Sequence, residues 1–369
     1  MGQISNEERA AIRDGFGRLL SEKAGEADVR KAMVTPLGYD LQLWKSMAEM
    51  GLLGLLIDPA YGGTGGDAVT LEDLMEEAGA HLLCSPFLST SVIAASVISA
   101  ANDEDQKSGL LTGIVSGDCI IAVAATGDKG LWTPQDISVQ ANQDGDGWKL
   151  DGSASFVLHA EGADKILVFA KNGNDIQAFL TSPDANGITI ERLKTNDPSL
   201  HLSKIAFDSA KAEILAGADQ FSIKQAMDLA RIALAGEHAG GTKRIFDITV
   251  EYLRTRHQFG RQIGGYQSLK HIAADMLIEV ESATSAARTA AEMQAGGKDD
   301  AQTLISLAAF ACADAYRDVT FQAIQLHGGI AYTWEHPAHL YWRRARTGLW
   351  LFGSSDQNRE NYLSQLEAA

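Results

Sequence analysis

The chain has 369 residues, 45% of them hydrophobic, and sets 31 Lys and Arg against 48 Asp and Glu for a formal net charge of −17. That is enough apolar material for a sizeable core and for more than one domain. The acidic balance excludes general nucleic-acid binding, which needs a basic footprint, and no apolar run approaches the length of a membrane span.

No charged-then-apolar leader opens the sequence. Met1-Gly2 would start a myristoylation motif only with Ser or Thr at position 6, where Asn6 stands. Cys84, Cys119 and Cys312 are widely spaced among apolar or small neighbours. They fit no metal pattern and read as buried, reduced thiols. The expectation is a cytoplasmic enzyme with neither nucleic acid nor membrane among its partners.

In chain order, Ser5-Asn6-Glu7-Glu8 reads as a capping box, and Ile12, Phe16, Leu19 and Leu20 follow at helical spacing. Further helices are predicted over 40–50, 71–80, 94–101 and 104–115. The glycine-rich stretch 57–66 lacks the Lys-Ser/Thr ending of a nucleotide loop and reads as a structural turn. At Cys119 the pattern changes. Short alternating or apolar runs at 120–124, 148–152, 166–170, 178–180, 188–190 and 205–207 are separated by Gly, Asp and Asn. They predict a small antiparallel barrel or sandwich. From about 219 the helical period returns, with a helix from Met227 past His238 toward Thr255. Apolar stripes follow at Leu269, Ile272, Ala273, Met276 and Val280, and at Leu304, Leu307, Ala308, Ala311, Ala315 and Val319. The expected fold is α+β: helical domain 1–118, β domain 119–218, helical bundle 219–369.

Two segments carry the candidate chemistry. One is Arg254-Thr255-Arg256-His257-Gln258-Phe259-Gly260, with Tyr266-Gln267 after it. The other is Gln325-Leu326-His327-Gly328-Gly329, followed by Tyr332-Thr333-Trp334-Glu335-His336. A glycine pair lets backbone approach a ligand, and after a helix it is also an ordinary C-cap. Here the sequence resembles the acyl-CoA dehydrogenase family of flavoproteins, over nearly the whole chain and including Asp58-Pro59-Ala60-Tyr61-Gly62-Gly63-Thr64-Gly65.

The resemblance implies FAD as cofactor, an acyl-CoA substrate, and electron-transfer flavoprotein or a similar acceptor. The implied reaction is α,β-dehydrogenation of the thioester, in which a carboxylate must remove the α proton. The family places that glutamate at the position of Phe352, or on a helix at the position of Ala230; neither residue here accepts a proton. Glu237, two turns after Ala230, is left as a relocated base or a surface charge. Asp228 and Arg231 match positions near the thioester; the alternative is a helix-surface ion pair.

The family's flavin-facing Thr-Glu-Pro and Trp-Ile-Thr stretches are matched by Ala124-Ala125-Thr126 and Phe156-Val157-Leu158. Its ADP-binding residues are kept at Arg256, Phe259, Gly260, Gln267, Gln325, Gly328 and Gly329, with Ser354 near the cofactor. In family members these generally reach the FAD of a neighbouring subunit. A salt bridge for Arg256 and core packing for Phe259 are the competing readings. Asp356 stands where a carboxylate could repel pyrophosphate. His327, His336 and His339 are too loosely spaced to suggest a metal. The chain resembles the shorter, base-lacking subunits of heteromeric bacterial acyl-CoA dehydrogenases. The expected partner is a longer subunit in an α₂β₂ assembly. A homo-oligomer with an unusual base and a non-catalytic flavin- or acyl-CoA-binding homologue are the alternatives.

Overall fold

The computed structural model describes residues 4–145 and 147–368; the Met1-Gly2 reading lies outside them. The helices are α1 (Asn6–Lys23), α2 (Glu26–Ala32), α3 (Leu41–Glu49), α4 (Ala68–Ala80), α5 (Ala95–Ser99) and α6 (Glu104–Ser116). After the strands come α7 (Gln220–Thr255), α8 (Gln267–Ala295), α9 (Ala301–His327), α10 (Ala338–Gly348) and α11 (Ser355–Ala368). Among the described residues no helix is long and apolar enough to cross a membrane.

The chain divides into two compact units. The first holds Val29–Asp67 and Cys84–Ala230. Seven strands form its sheet: β1 (Ile121–Ala124), β2 (Gln140–Asp144), β3 (Gly147–Leu158), β4 (Lys165–Asn172), β5 (Asp175–Thr181), β6 (Ile188–Arg192) and β7 (Leu202–Ile214). The order β4-β2-β3-β7-β5 returns to β4, so five strands close into a barrel, with β1 on β4 and β6 on β7. The expected antiparallel arrangement is not complete, since β1 and β2 both pair with β4 in parallel. The strand missed in the sequence is β2, QANQD. Only Ala141 of it is buried, so no apolar alternation marks it. The turn at 57–66 is structural, as expected: Asp58 Oδ1 accepts from the Ala60 N–H at 2.8 Å.

The second unit holds Asn6–Asp28, Ala68–Leu83 and the chain from Arg231 onward. The stretch read as one helical domain, 1–118, thus contributes α1 and α4 to the unit built around the C-terminal helices. α8 packs along α9, with α10 and α11 also on α9 and α4 between α1 and α8. α7 is buried on every side from Ile232 to Thr242. It crosses α4 with the two backbones touching. A Cβ on Gly79 would lie 1.9 Å from Glu237 O, and one on Gly240 would lie 1.8 Å from Glu76 O. Only glycine fits such a crossing, although each helical glycine costs about 1 kcal/mol relative to alanine.

Gly240→Ala therefore destabilises by about 2–4 kcal/mol despite its better helix propensity. On the exposed helix α6, where an added Cβ at Gly109 meets nothing within 4 Å, Gly109→Ala is neutral or stabilising. Paired thermal melts of the two variants check both signs.

Candidate functional site

β8 (His257–Gln258) and β9 (Arg261–Gln262) form a two-residue hairpin directly after α7. Its turn residues, Phe259 at φ 54° and Gly260 at φ 78°, both take left-handed backbone, as a type I′ turn requires. The turn drives the Phe259 ring outward, to 91% exposure. Arg256 is exposed as well, and its guanidinium makes no hydrogen bond or ion pair among the described residues. Neither the salt bridge for Arg256 nor the core packing for Phe259 is what the structure shows.

At the other segment, Gly328 caps α9, donating its N–H toward Ile324 O and Gln325 O. Its φ of 65° with ψ −143° is open only to glycine. The cap reading is met, and an added Cβ at Gly328 or Gly329 meets nothing within 4 Å. Gln267 and Gln325 are exposed.

Tyr252, one turn before Arg256, joins the two segments. Its ring lies 4.5 Å from that of His327, and its hydroxyl donates to His327 O at 3.4 Å. His327 Nδ1 donates to Ala323 O at 2.8 Å, and burial pushes this histidine down to about 4. One end of the helical unit thus presents an uncommitted cation, an exposed aromatic ring and open glycine backbone. That set suits a phosphate-bearing ligand with a ring to stack.

The base position is elsewhere. Phe352 is fully buried, at φ 57°, and its carbonyl accepts from Arg231 Nε at 3.1 Å. Asn358 Nδ2 donates to Gly353 O at 3.1 Å, and Ser354 Oγ accepts from the Gln357 N–H at 3.2 Å as the cap of α11. Along α7, Arg231 and Arg256 are about 37 Å apart at 1.5 Å per residue, so these are separate places. Ala230 is fully buried. Asp228 is buried and pairs with Lys224 Nζ at 3.1 Å, so the ion-pair reading holds for it, though not on the surface. Asp356 is exposed and pairs with Arg359 Nη1 at 3.3 Å.

Glu237 is not the surface charge that its place in a long helix suggested. It is 4% exposed, and Oε1 accepts from Arg344 Nη1 at 2.7 Å. Arg344, itself 1% exposed, also donates to Leu83 O at 3.1 Å. Breaking such a pair strands a buried charge, at about 3–5 kcal/mol. Next to it, burial and then Arg344 push His238 down to about 3. Sequence reading recorded Glu72 only as one acidic residue on α4. It is fully buried, and burial, then Glu76, pushes it up to about 9. Glu76 itself accepts two bonds from Arg288, both at 2.8 Å. The available signal was a Glu72–Glu76 pair four residues apart on an otherwise apolar face.

The ring-facing stretch lies in the barrel unit. Ala124 and Ala125 are buried. Thr126 Oγ1 donates to Ser155 O at 2.5 Å and accepts from the Ser155 N–H at 3.1 Å, so its hydroxyl is spent within the chain. The Phe156 ring covers Gly130, and Leu158 is buried. The side chains of this stretch are buried or spent within the chain, whereas Arg256 and Phe259 are exposed. Among the described residues no group of three His, Cys, Asp or Glu is placed to hold a metal. His327 and His336 meet with their ring centroids 4.4 Å apart and their planes tilted by 54°. Cys84 and Cys312 are buried and in no disulfide, while Cys119 is only partly buried and is pushed up to about 11 by burial.

This three-part fold and exposed clamp are those of an FAD-dependent acyl-CoA oxidoreductase. Residues 6–118 match the model of the acyl-CoA dehydrogenase N-terminal domain and 221–366 that of the C-terminal domain. Acyl-CoA dehydrogenase IpdE2 of Mycobacterium tuberculosis is 31% identical over 342 residues, 92% of this chain and 91% of the relative. The solved Tcur3481–Tcur3483 steroid ACAD is 28% identical with a TM-score of 0.88 over 98% of both chains. The ChsE4–ChsE5 complex of Mycobacterium tuberculosis, at 23% identity, shares the fold with a TM-score of 0.90 over 100% of both chains. The chain belongs to the acyl-CoA dehydrogenase family.

The direction of the Glu72 shift sets a pH dependence. Between about pH 4.5 and 9 the unfolded chain has lost a proton that the folded chain keeps, so this group's contribution to stability falls as pH rises. Glu72→Gln removes that fall. The variant should melt close to wild type near pH 4.5 and above it near pH 8, by about 1–3 kcal/mol of stability.

Proposed function

We propose that the chain is the base-lacking subunit of a heteromeric FAD-dependent acyl-CoA dehydrogenase. Its substrate would be a bulky, steroid-derived acyl-CoA thioester. The observation that carries this is the pair Phe352 and Ala230, both fully buried and apolar, at the two positions where the family resemblance puts a carboxylate. Bound FAD supplies hydride acceptance at the β carbon. Proton removal at the α carbon would then fall to a carboxylate of the partner's own site. Glu237 does not favour the relocated-base reading, since Arg344 already holds it in the interior.

What this chain contributes is binding. Arg256 is placed to meet pyrophosphate with a planar fork of donors, Phe259 to stack, and Gln267, Gln325, Gly328 and Gly329 to admit the nucleotide closely. All of these are exposed in the chain by itself, as a clamp on another subunit's cofactor must be. Exposed apolar groups stand around the second segment, with Phe321 at 56%, Tyr332 at 79% and Trp334 at 59% lining one hollow. Such a patch favours a subunit contact. The names of two solved relatives, a two-component steroid ACAD and a ChsE4–ChsE5 complex, support the heteromeric form and the substrate class. An α₂β₂ assembly with two FAD follows, with electrons leaving to electron-transfer flavoprotein or a similar acceptor.

The test is to purify the chain alone and co-expressed with a longer, glutamate-bearing homologue. The expected results are turnover ~10²–10⁴-fold below a normal dehydrogenase for the chain alone and one FAD per pair of chains in the complex. Arg256→Ala here should weaken FAD in the complex by ~1–3 kcal/mol. Full flavin occupancy and ordinary turnover by this chain as a homo-oligomer would overturn the proposal.

A further inference from the structure

Building on the reading of Arg256 and the glycine pair as a clamp on another subunit's FAD, we propose that Tyr252 and His327 are positioning residues for that nucleotide. They lock the two binding segments into one rigid unit and touch no ligand themselves. A site assembled from two separate stretches of chain binds well only if neither has to be ordered by the ligand, because ordering subtracts from affinity.

Tyr252 reaches both segments. Its main-chain carbonyl, in the last turn of α7, accepts the Arg256 N–H at 2.9 Å, and the Arg256 carbonyl accepts the Ile263 N–H at 2.8 Å from beyond the hairpin. The Arg256 backbone is thus held on both sides, and its side chain alone is left to reach out. The Tyr252 side chain meets the end of α9. Its hydroxyl donates to His327 O at 3.4 Å, and its ring lies 4.5 Å from the His327 ring. That oxygen belongs to the peptide unit between His327 and Gly328, where the helix gives way to the glycine pair. One residue therefore sets the place of Arg256 and of Gly328 together.

His327 is fixed in its turn. It is 4% exposed, its Nδ1 donates to Ala323 O at 2.8 Å, and the His336 ring centroid lies 4.4 Å from its own. With the proton on Nδ1, the buried Nε2 has no hydrogen-bond partner among the described residues. Burying it unpaired costs free energy that an apolar side chain would not. A ring this deep meets no ligand, and burial pushes it down to about 4, so it stays neutral near neutral pH. What remains for the ring is the surface it offers to Tyr252, which is itself half-buried.

The test is a double-mutant cycle read as FAD affinity. FAD is titrated into the FAD-depleted complex of this chain with a longer, glutamate-bearing homologue, for wild type, Tyr252→Ala, Arg256→Ala and both together. Tyr252→Ala alone should weaken FAD about tenfold, and by less than about twofold once position 256 is already Ala, because Tyr252 acts through the arginine. Tyr252→Phe keeps the ring and loses only the long hydroxyl bond, so it should stay within about threefold of wild type. A thermal melt of each variant confirms that it is folded. A loss of the same size in both backgrounds overturns the inference, since a tyrosine that merely packs would lower the melting temperature without regard to position 256. So does wild-type affinity in Tyr252→Ala while Arg256→Ala weakens binding. No loss from Arg256→Ala overturns the clamp reading itself and this inference with it. Should Tyr252→Ala not fold, Tyr252→Leu takes its place with the same outcomes.

Discussion

The helical unit depends on one contact made without side chains, the crossing of α4 and α7. Gly79 receives the Glu237 carbonyl, and Gly240 receives the Glu76 carbonyl. This reciprocity leaves no slack, because a shift that relieves one glycine drives the other helix's carbonyl into its partner. Once the two backbones touch, the side chains flanking the glycines cannot reach water. Glu72, Glu76 and Glu237 are carried inward together, and the unit must neutralise them. It does so in three ways: Arg13 and Arg288 on Glu76, Arg344 on Glu237, and a retained proton on Glu72.

The same crossing makes α7 a fixed reference for the site. Arg231, about one helical length from Arg256, donates to the Phe352 carbonyl, while Arg344 ties α10 to α7 through Glu237. The segment from α10 to Phe352 is thus pinned at both ends to one helix. In the last turn of α7, Tyr252 meets His327 and brings the hairpin and the α9 terminus together. Buried polar pairs hold the geometry, and exposed residues are left for recognition.

Much of this was legible in the residues. Period two and period 3.6 separated the β segment from the helices, and the motifs Arg256-x-x-Phe259-Gly260 and Gln325-x-x-Gly328-Gly329 pointed to two segments that Tyr252 and His327 join. Three features were not. β2 is polar because four of its five residues face solvent, so it is a strand by pairing alone. The π-helical turn Leu88–Ala94 falls between the helices predicted at 71–80 and 94–101, since Ser89, Thr90 and Ser91 interrupt any apolar period there. The burial of Glu237 is set by Gly79 on α4, more than 150 positions away, and no local pattern reports a partner helix at backbone distance. Core packing, the competing reading for Phe259, fails for a related reason. Its hydrophobicity speaks for burial, while the two-residue turn that aims it outward is a property of backbone.

Backbone strain marks several residues of the candidate site. Among the described residues six non-glycines have positive φ, namely Leu82, Phe156, His159, Ser209, Phe259 and Phe352. Left-handed backbone is a genuine outlier for bulky side chains and costs on the order of 1–3 kcal/mol. Phe156 and His159 lie at the end of β3, Phe259 tips the hairpin after α7, and Phe352 follows α10. Each must be held by its surroundings, since glycine or asparagine would adopt the same backbone at less cost. For Phe352 the hold is visible: Arg231 donates to its carbonyl and Asn358 to the next. The strain there is kept in place by donors from α7 and α11.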